Sequence, residues 1–244
     1  MPEALRIPFV EALFPGGIEY GTNLLVEFEP DSLWQEASVT LAAQALRKAA
    51  KTEYHTFMRF PQKIRDPLAR LGLEVEKLER DELLRIIDSY SAQTGLGLGK
   101  HEKSIRWTIS QSLKLSDWSI DMAQVLKAGA DEGDRRWLHI DDNTSVLLQY
   151  NEEKAVIDYF HTRIIPITHV RDSIAVNSFL VGSASASFIK QLESLYDVIV
   201  DFRSEEKEDR IRHYVRGRLM RGRSYDSRWH QLNVLENEEV ELKE

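Results

Sequence analysis

Apolar positions along this chain fall into short compact runs separated by stretches of helical spacing. Residues 22–28 form one such run around Leu24, Leu25 and Val26, short enough for a buried strand. Pro30, Asp31 and Ser32 follow as a turn and helix start, with Asp31 or Ser32 placed to cap free N–H groups. Leu33, Ala37, Leu41, Ala45 and Ala49 then recur at the spacing of one helix face, which predicts a helix over 33–51. A second strand is predicted at 55–60, and a short helix at 62–72 opened by Pro61 and stopped at Gly72. A charged amphipathic connection follows at 73–83, then a third strand at Leu84–Asp88. The order β-α-β-α-β predicts a parallel sheet with right-handed crossovers.

The second half has the same grain. Residues 93–103 hold Gly95, Gly97 and Gly99 and predict a loop; no strand-turn-helix unit surrounds them, so they are no dinucleotide fingerprint. An extended segment at 107–115, a helix at 116–127 closed by Gly129, and a solvated loop at 131–134 follow. Residues 136–141 predict a fourth strand ending in acid, and 151–162 a helix. Residues 164–169 predict a strand whose Pro166 puts it at an edge or a strand end. A strand at 177–182, a helix at 183–195, a strand at 196–202 and a charged turn at 205–209 come next. Residues 210–220 and 229–242 then predict an antiparallel hairpin or meander. With no repeat, low-complexity tract or linker, residues 1–244 are expected to form one domain.

Composition narrows the class. The 244 residues, 42% hydrophobic and 30% charged, suit a globular protein with a sizeable core. There is no apolar run of about 18 residues, no secretory pattern at the N-terminus, and no cysteine for disulfides or a thiolate zinc site. These features predict a cytoplasmic protein without membrane contact. The net charge of −8 sets the whole-molecule field against nucleic acid and leaves only a local basic face.

Several segments, taken in order, resemble the RecA-fold ATPases and, among them, the archaeal KaiC-like proteins. Residues 15–22 look like the family's opening glycine turn, and Glu29-Pro30 stands where its phosphate loop has Glu-Pro. Residues 84–91 (LRIIDSYS), 137–145 (WLHIDDNTS), 192–199 (LESLYDVI) and 219–222 (LMRG) match later family segments. The resemblance covers most of the chain. It implies a RecA-like, P-loop NTPase-type α/β fold: a mainly parallel sheet flanked by helices.

The departures bear on chemistry. A phosphate loop of the form G-x-x-x-x-G-K-[ST] uses glycines for backbone approach, lysine for the phosphates and a hydroxyl for magnesium. Here Phe28 and Leu33 replace the glycines, Trp34 the lysine and Gln35 the hydroxyl residue. The glutamate that the family carries at the end of its second strand has no counterpart in residues 57–61, and Leu219 stands in place of a lysine. Of the family's hydrolytic residues Asp141 persists, with Asp142 beside it should the register slip by one. Phosphoryl transfer needs positioning and positive charge, whereas Glu29 and Asp31 repel a triphosphate. Glu29, Asp31, Ser32, Trp34, Gln35 and Asp141 therefore mark a vestigial nucleotide position. Trp34 is either a filler of the void or a partner-binding aromatic. No catalytic residues, cofactor or metal are expected; His139, His161 and His169 form no ligand spacing.

The main positive feature is residues 210–223, with six arginines: Arg210, Arg212, Arg216, Arg218, Arg221 and Arg223. Alternation on a strand would put Arg210, Arg212, Tyr214, Arg216 and Arg218 on one face. The alternatives are a solvated face, a contact to a neighbouring subunit, or a nucleic-acid grip using Tyr214, Tyr225 and Trp229. The resulting expectation is a non-catalytic KaiC/RecA-like protein, archaeal by its resemblance, acting as a regulatory or assembly partner. Its partner would be a second copy or an active relative. A nucleic-acid-binding module and an ATP-binding, non-hydrolysing regulator are the alternatives.

Overall fold

The computed structural model describes residues 3–94, 107–108, 112–130 and 136–243. The chain opens with β1 (Ala4–Leu5), α1 (Pro8–Leu13) and β2 (Ile18–Glu19), then β3 (Asn23–Phe28), α2 (Trp34–Arg47) and β4 (Lys51–Thr56). Next come α3 (Gln62–Arg70), α4 (Val75–Arg80), β5 (Leu84–Asp88), α5 (Tyr90–Thr94), β6 (Trp107–Thr108), α6 (Leu115–Ala130) and β7 (Trp137–Asp141). The last part holds α7 (Glu153–Tyr159), α8 (Ile165–Arg171), β8 (Ile174–Leu180), α9 (Ala186–Ser194), β9 (Val198–Lys207), β10 (Arg210–Met220), β11 (His230–Val234) and β12 (Val240–Leu242). β1 and β2 pair with each other, and the other ten strands form one sheet in the order β12-β11-β10-β9-β3-β8-β7-β4-β5-β6. From β9 to β6 all neighbours are parallel; β10, β11 and β12 extend the sheet antiparallel.

The short apolar runs are strands covered on both sides, as parallel strands usually are. In β3, Leu24 and Val26 face one layer, with α1, α2 and α3, while Leu25 faces the other, with α6, α7 and α9. Helix α2 is buried along most of its length, and Ala37, Ala42, Ala43 and Ala45 let it lie close to the sheet. Its buried polar side chains are matched: Phe9 N donates to Gln44 Oε1 (3.0 Å) and Val240 N to Thr40 Oγ1 (2.9 Å).

Several expectations need correction. The helix expected at 116–127 runs from Leu115 to Ala130, so Gly129 does not close it. The stretch 164–169 is helical: a π-turn over Phe160–Ile164 runs into α8. Pro166 sits at the start of that helix, where its missing N–H is not needed, and a short apolar run does not by itself separate strand from helix. The second strand begins at Lys51 and ends at Thr56, because its polar members are matched inside the sheet; buried Glu53 accepts from His139 Nδ1 at 2.9 Å. The connection 73–83 contains α4. The turn expected at 205–209 is only Glu208-Asp209, both at positive φ, the conformation of a tight two-residue hairpin. Of the loop read at 93–103, Gln93 and Thr94 belong to α5 and the rest lies outside the described residues, as does the loop read at 131–134.

Candidate functional site

The loop of residues 29–33 lies between β3 and α2, at the C-terminal edge of the parallel strands, where open α/β sheets bind ligands. It is tied down by its own atoms. Ser32 N and Oγ both donate to Glu29 O (3.0 and 2.7 Å), so neither Ser32 nor Asp31 caps α2 as expected; Leu33 holds the cap position without a side-chain bond. Glu29 Oε2 accepts from Ser204 N (2.8 Å) and Asp31 O from Ser204 Oγ (2.7 Å), which fastens the loop to β9.

Trp34, in the lysine position, is fully buried. Its ring meets Phe202 edge-on with centroids 5.3 Å apart and lies 6.4 Å from Phe28. Its indole N–H donates to Asp142 O at 2.9 Å, and the amide of Gln35 donates to the same carbonyl at 3.1 Å. Trp34 and Gln35 therefore both bind the residue that follows β7.

Both aspartates there are engaged by protein. Asp141 Oδ2 accepts from Asn177 Nδ2 (2.6 Å), and its Oδ1 lies 3.4 Å from His55 Nδ1. Buried Asp142 accepts from Phe57 N (2.7 Å) and Thr56 Oγ1 (3.1 Å). Burial pushes its carboxyl up to about 6, against the Phe57 N–H, Arg59 and Thr56, which favour the ion. Arg59, in the segment that lacks the glutamate, donates to Gln35 O at 2.9 Å. Among the described residues no group of three or more His, Cys, Asp or Glu is placed to hold a metal.

The arginine segment is largely paired within the chain. Arg216 meets Asp201 (2.8 Å), while Arg218 reaches Glu27, Glu193 (2.8 Å) and Asp201 (3.0 Å). Burial raises Glu27 to about 7 against the pull of Arg218, with Glu193 and Asp201 adding to the rise. Arg223 meets Glu19 (3.0 Å), Arg212 meets Glu208 (3.4 Å), and Arg221 Nε donates to Tyr196 O (3.0 Å). Arg210 is exposed at the strand end. A register shift between Gly217 and Leu219 interrupts the expected alternation at Arg218. Of the three aromatics, Tyr225 turns inward to Phe14 and donates to Arg218 O (2.8 Å). Trp229 lies against Arg203 and Arg216 (4.1 and 4.4 Å, guanidinium carbon to ring centre), and Tyr214 against Arg203.

The structure also joins residues that the sequence reading left apart. Ser89 follows the last residue of β5, His55 and Asp141 stand at the ends of β4 and β7, and Asn177 lies in the middle of β8; the four strands are neighbours in the sheet. His55 Nε2 bonds Ser89 Oγ, His55 Nδ1 faces Asp141, Asp141 accepts from Asn177, and Asn177 Oδ1 accepts from Tyr196 OH (2.9 Å). Ser89 and Asp141 follow or close apolar runs, but the row needs the strand order.

No family model matches the chain, and no curated protein matches it. Solved structures do. A KaiC-like protein of the hyperthermophilic archaeon Pyrococcus horikoshii aligns over 100% of both chains with a TM-score of 0.73 and 16% identity. An uncharacterised protein of the same organism, solved in complex with an unknown peptide, aligns over 93% of this chain and 94% of its own, at TM-score 0.72 and 16% identity. With its mostly parallel sheet, flanking helices and antiparallel C-terminal strands, the chain has the RecA-type fold of KaiC-like proteins.

Proposed function

We propose that this protein keeps the RecA-type fold without nucleotide hydrolysis and works through its surfaces, as a regulatory or assembly partner. The partner would be a second copy or an active protein of the same fold, in an archaeal cytoplasm. The observation that carries the reading is the shared carbonyl: Trp34 and Gln35 both bond Asp142 O, filling the position of lysine and magnesium hydroxyl. The engaged carboxylates of Asp141 and Asp142 support it. The peptide held by one structural neighbour lends weight to a protein partner. Titration of the protein with Mg-ATP in a calorimeter should give no binding heat; binding lost in Trp34→Ala or Asp141→Ala would overturn the reading. Mass measurement in solution tests self-assembly.

The half-open face with Arg203, Tyr214, Arg216 and Trp229 favours a second reading, a single-stranded nucleic-acid contact. Salt-dependent binding that weakens in Arg216→Glu would support it; no binding at low salt would end it.

A further inference from the structure

An open cavity of about 540 Å³ lies at the N-terminal edge of the parallel strands, the edge opposite residues 29–33. Arg6, Lys48, Lys51 and Arg136 line it against a single carboxylate, Glu3, in a chain whose net charge is −8. Arg136 pairs with Glu3. Among the described residues, no carboxylate comes within ion-pair distance of Arg6, Lys48 or Lys51.

Sheet register gathers these cations. Lys51 opens β4 and is paired with Trp137, the first residue of β7, so Arg136 stands beside it at the same edge. Thr52 is paired with Leu84, the first residue of β5, which brings Leu83 to the other side. The Lys51 ammonium lies 5.4 Å from the centre of the Trp137 ring, a contact that steadies the side chain without neutralising it. Lys48 follows the last residue of α2, and Ala49, at φ 56°, turns the chain toward β4. Carbonyls at that helix end are already taken, Ala45 O by Lys48 N and Ala50 N, and Leu46 O by Ala49 N. Arg6 follows β1 with its stem against Gly17, where a Cβ would stand 2.9 Å from Arg6 Cγ. A lysine beside a helix C-terminus is favourable by itself. That accounts for Lys48 and leaves Arg6 and Lys51 unexplained.

We propose that this cavity binds a small phosphate monoester, its phosphate among Arg6, Lys48 and Lys51 and its organic part against Tyr20, Ala50 and Leu83. A phosphate monoester brings close to two negative charges and three acceptor oxygens, a match for three cations without partners. The volume is that of an ordinary small-molecule pocket. Charges are screened beyond about 8 Å at physiological salt, so a compact anion here feels these cations and little of the net charge. Mg-ATP is not such a ligand, because the metal holds its terminal phosphate oxygens. Trp34 and Asp141 lie at the other edge, so this site is independent of the loss of nucleotide hydrolysis.

Phenyl phosphate serves as the probe, titrated calorimetrically at low salt and pH 8 without magnesium. The expected result is saturable binding that weakens as salt is added, is absent with phenol, and is weaker with inorganic phosphate, which leaves the organic subsite empty. Lys48→Gln and Lys51→Gln should each weaken it about 10-fold, the loss of one charge-assisted contact. Lys154→Gln, at an exposed lysine of α7, should leave it unchanged. Lys48 is exposed, so its variant keeps the fold; circular dichroism establishes the same for Lys51→Gln. No binding by the wild-type protein, equal affinity for inorganic phosphate, unchanged affinity in Lys48→Gln, or equal weakening in Lys154→Gln overturns the proposal.

Discussion

At the scale of single residues, Trp34 and Asp142 are one unit. The indole fills the space beside β9 and fastens α2 to the end of β7. Truncation to alanine removes a fully buried ring, so Trp34→Ala should cost about 3–5 kcal/mol in urea denaturation. Trp34→Phe should cost about 1 kcal/mol more than packing alone predicts, since Asp142 O loses one of its two donors. The carboxyl of Asp142 has the opposite sign. Its folded value, about 6, lies above the ordinary aspartate value, so the folded protein binds the extra proton. Its contribution is therefore present in acid and is lost as pH rises through about 6. Thermal melting of Asp142→Asn should show a flatter profile than the wild type between pH 4 and 7, with the gain at the upper end.

At the scale of elements, the antiparallel extension depends on one arginine and one glycine. Arg218, at the register shift, faces Glu27, Glu193 and Asp201 together. Arg218→Met leaves three carboxylates facing one another; because the guanidinium is partly exposed, about 1–2 kcal/mol is the expected loss at pH 8. The loss should shrink toward pH 5, since Glu27 takes up a proton below about 7. A Cβ on Gly217 would stand 2.8 Å from the Phe14 ring, so Gly217→Val should destabilise by about 1–3 kcal/mol through overpacking. The elements also show why some patterns misled. Residues 164–169 are apolar enough for a strand, yet they continue the helical run from α7 through a π-turn. The sequence pattern ends its helix at Lys51 and starts its strand at His55, yet residues 51–54 are strand, where His139 partners Glu53 from the next strand.

For the whole molecule, a ligand that binds only the folded state raises the melting temperature. Millimolar Mg-ATP should therefore leave melting unchanged, whereas a true partner, or a second copy at rising protein concentration, should raise it. No helix among the described residues is long and apolar enough to cross a membrane. The arginines that stood out in the sequence are neutralised mainly by acids far along the chain, Glu19, Glu27, Glu193 and Asp201 among them. That outcome depends on strand order, which brings β10 beside β9 and β9 beside β3.

The sequence by itself determined the architecture: apolar runs at strand spacing, helical periodicity between them, and turn residues at their borders act over a few neighbours, and such local patterns can be read along a line. Through the resemblance to KaiC-like proteins it also singled out residues 28–35, whose lack of glycine and lysine is a statement about residue types. Only the tertiary structure decided what those residues touch. Trp34 meets a carbonyl 108 positions away, Arg218 a carboxylate 191 positions away, and His55 joins Ser89 to Asp141 across neighbouring strands. Parallel strands are paired through long crossovers, so the side chains at their ends become neighbours by sheet order and register, neither of which is written in local spacing.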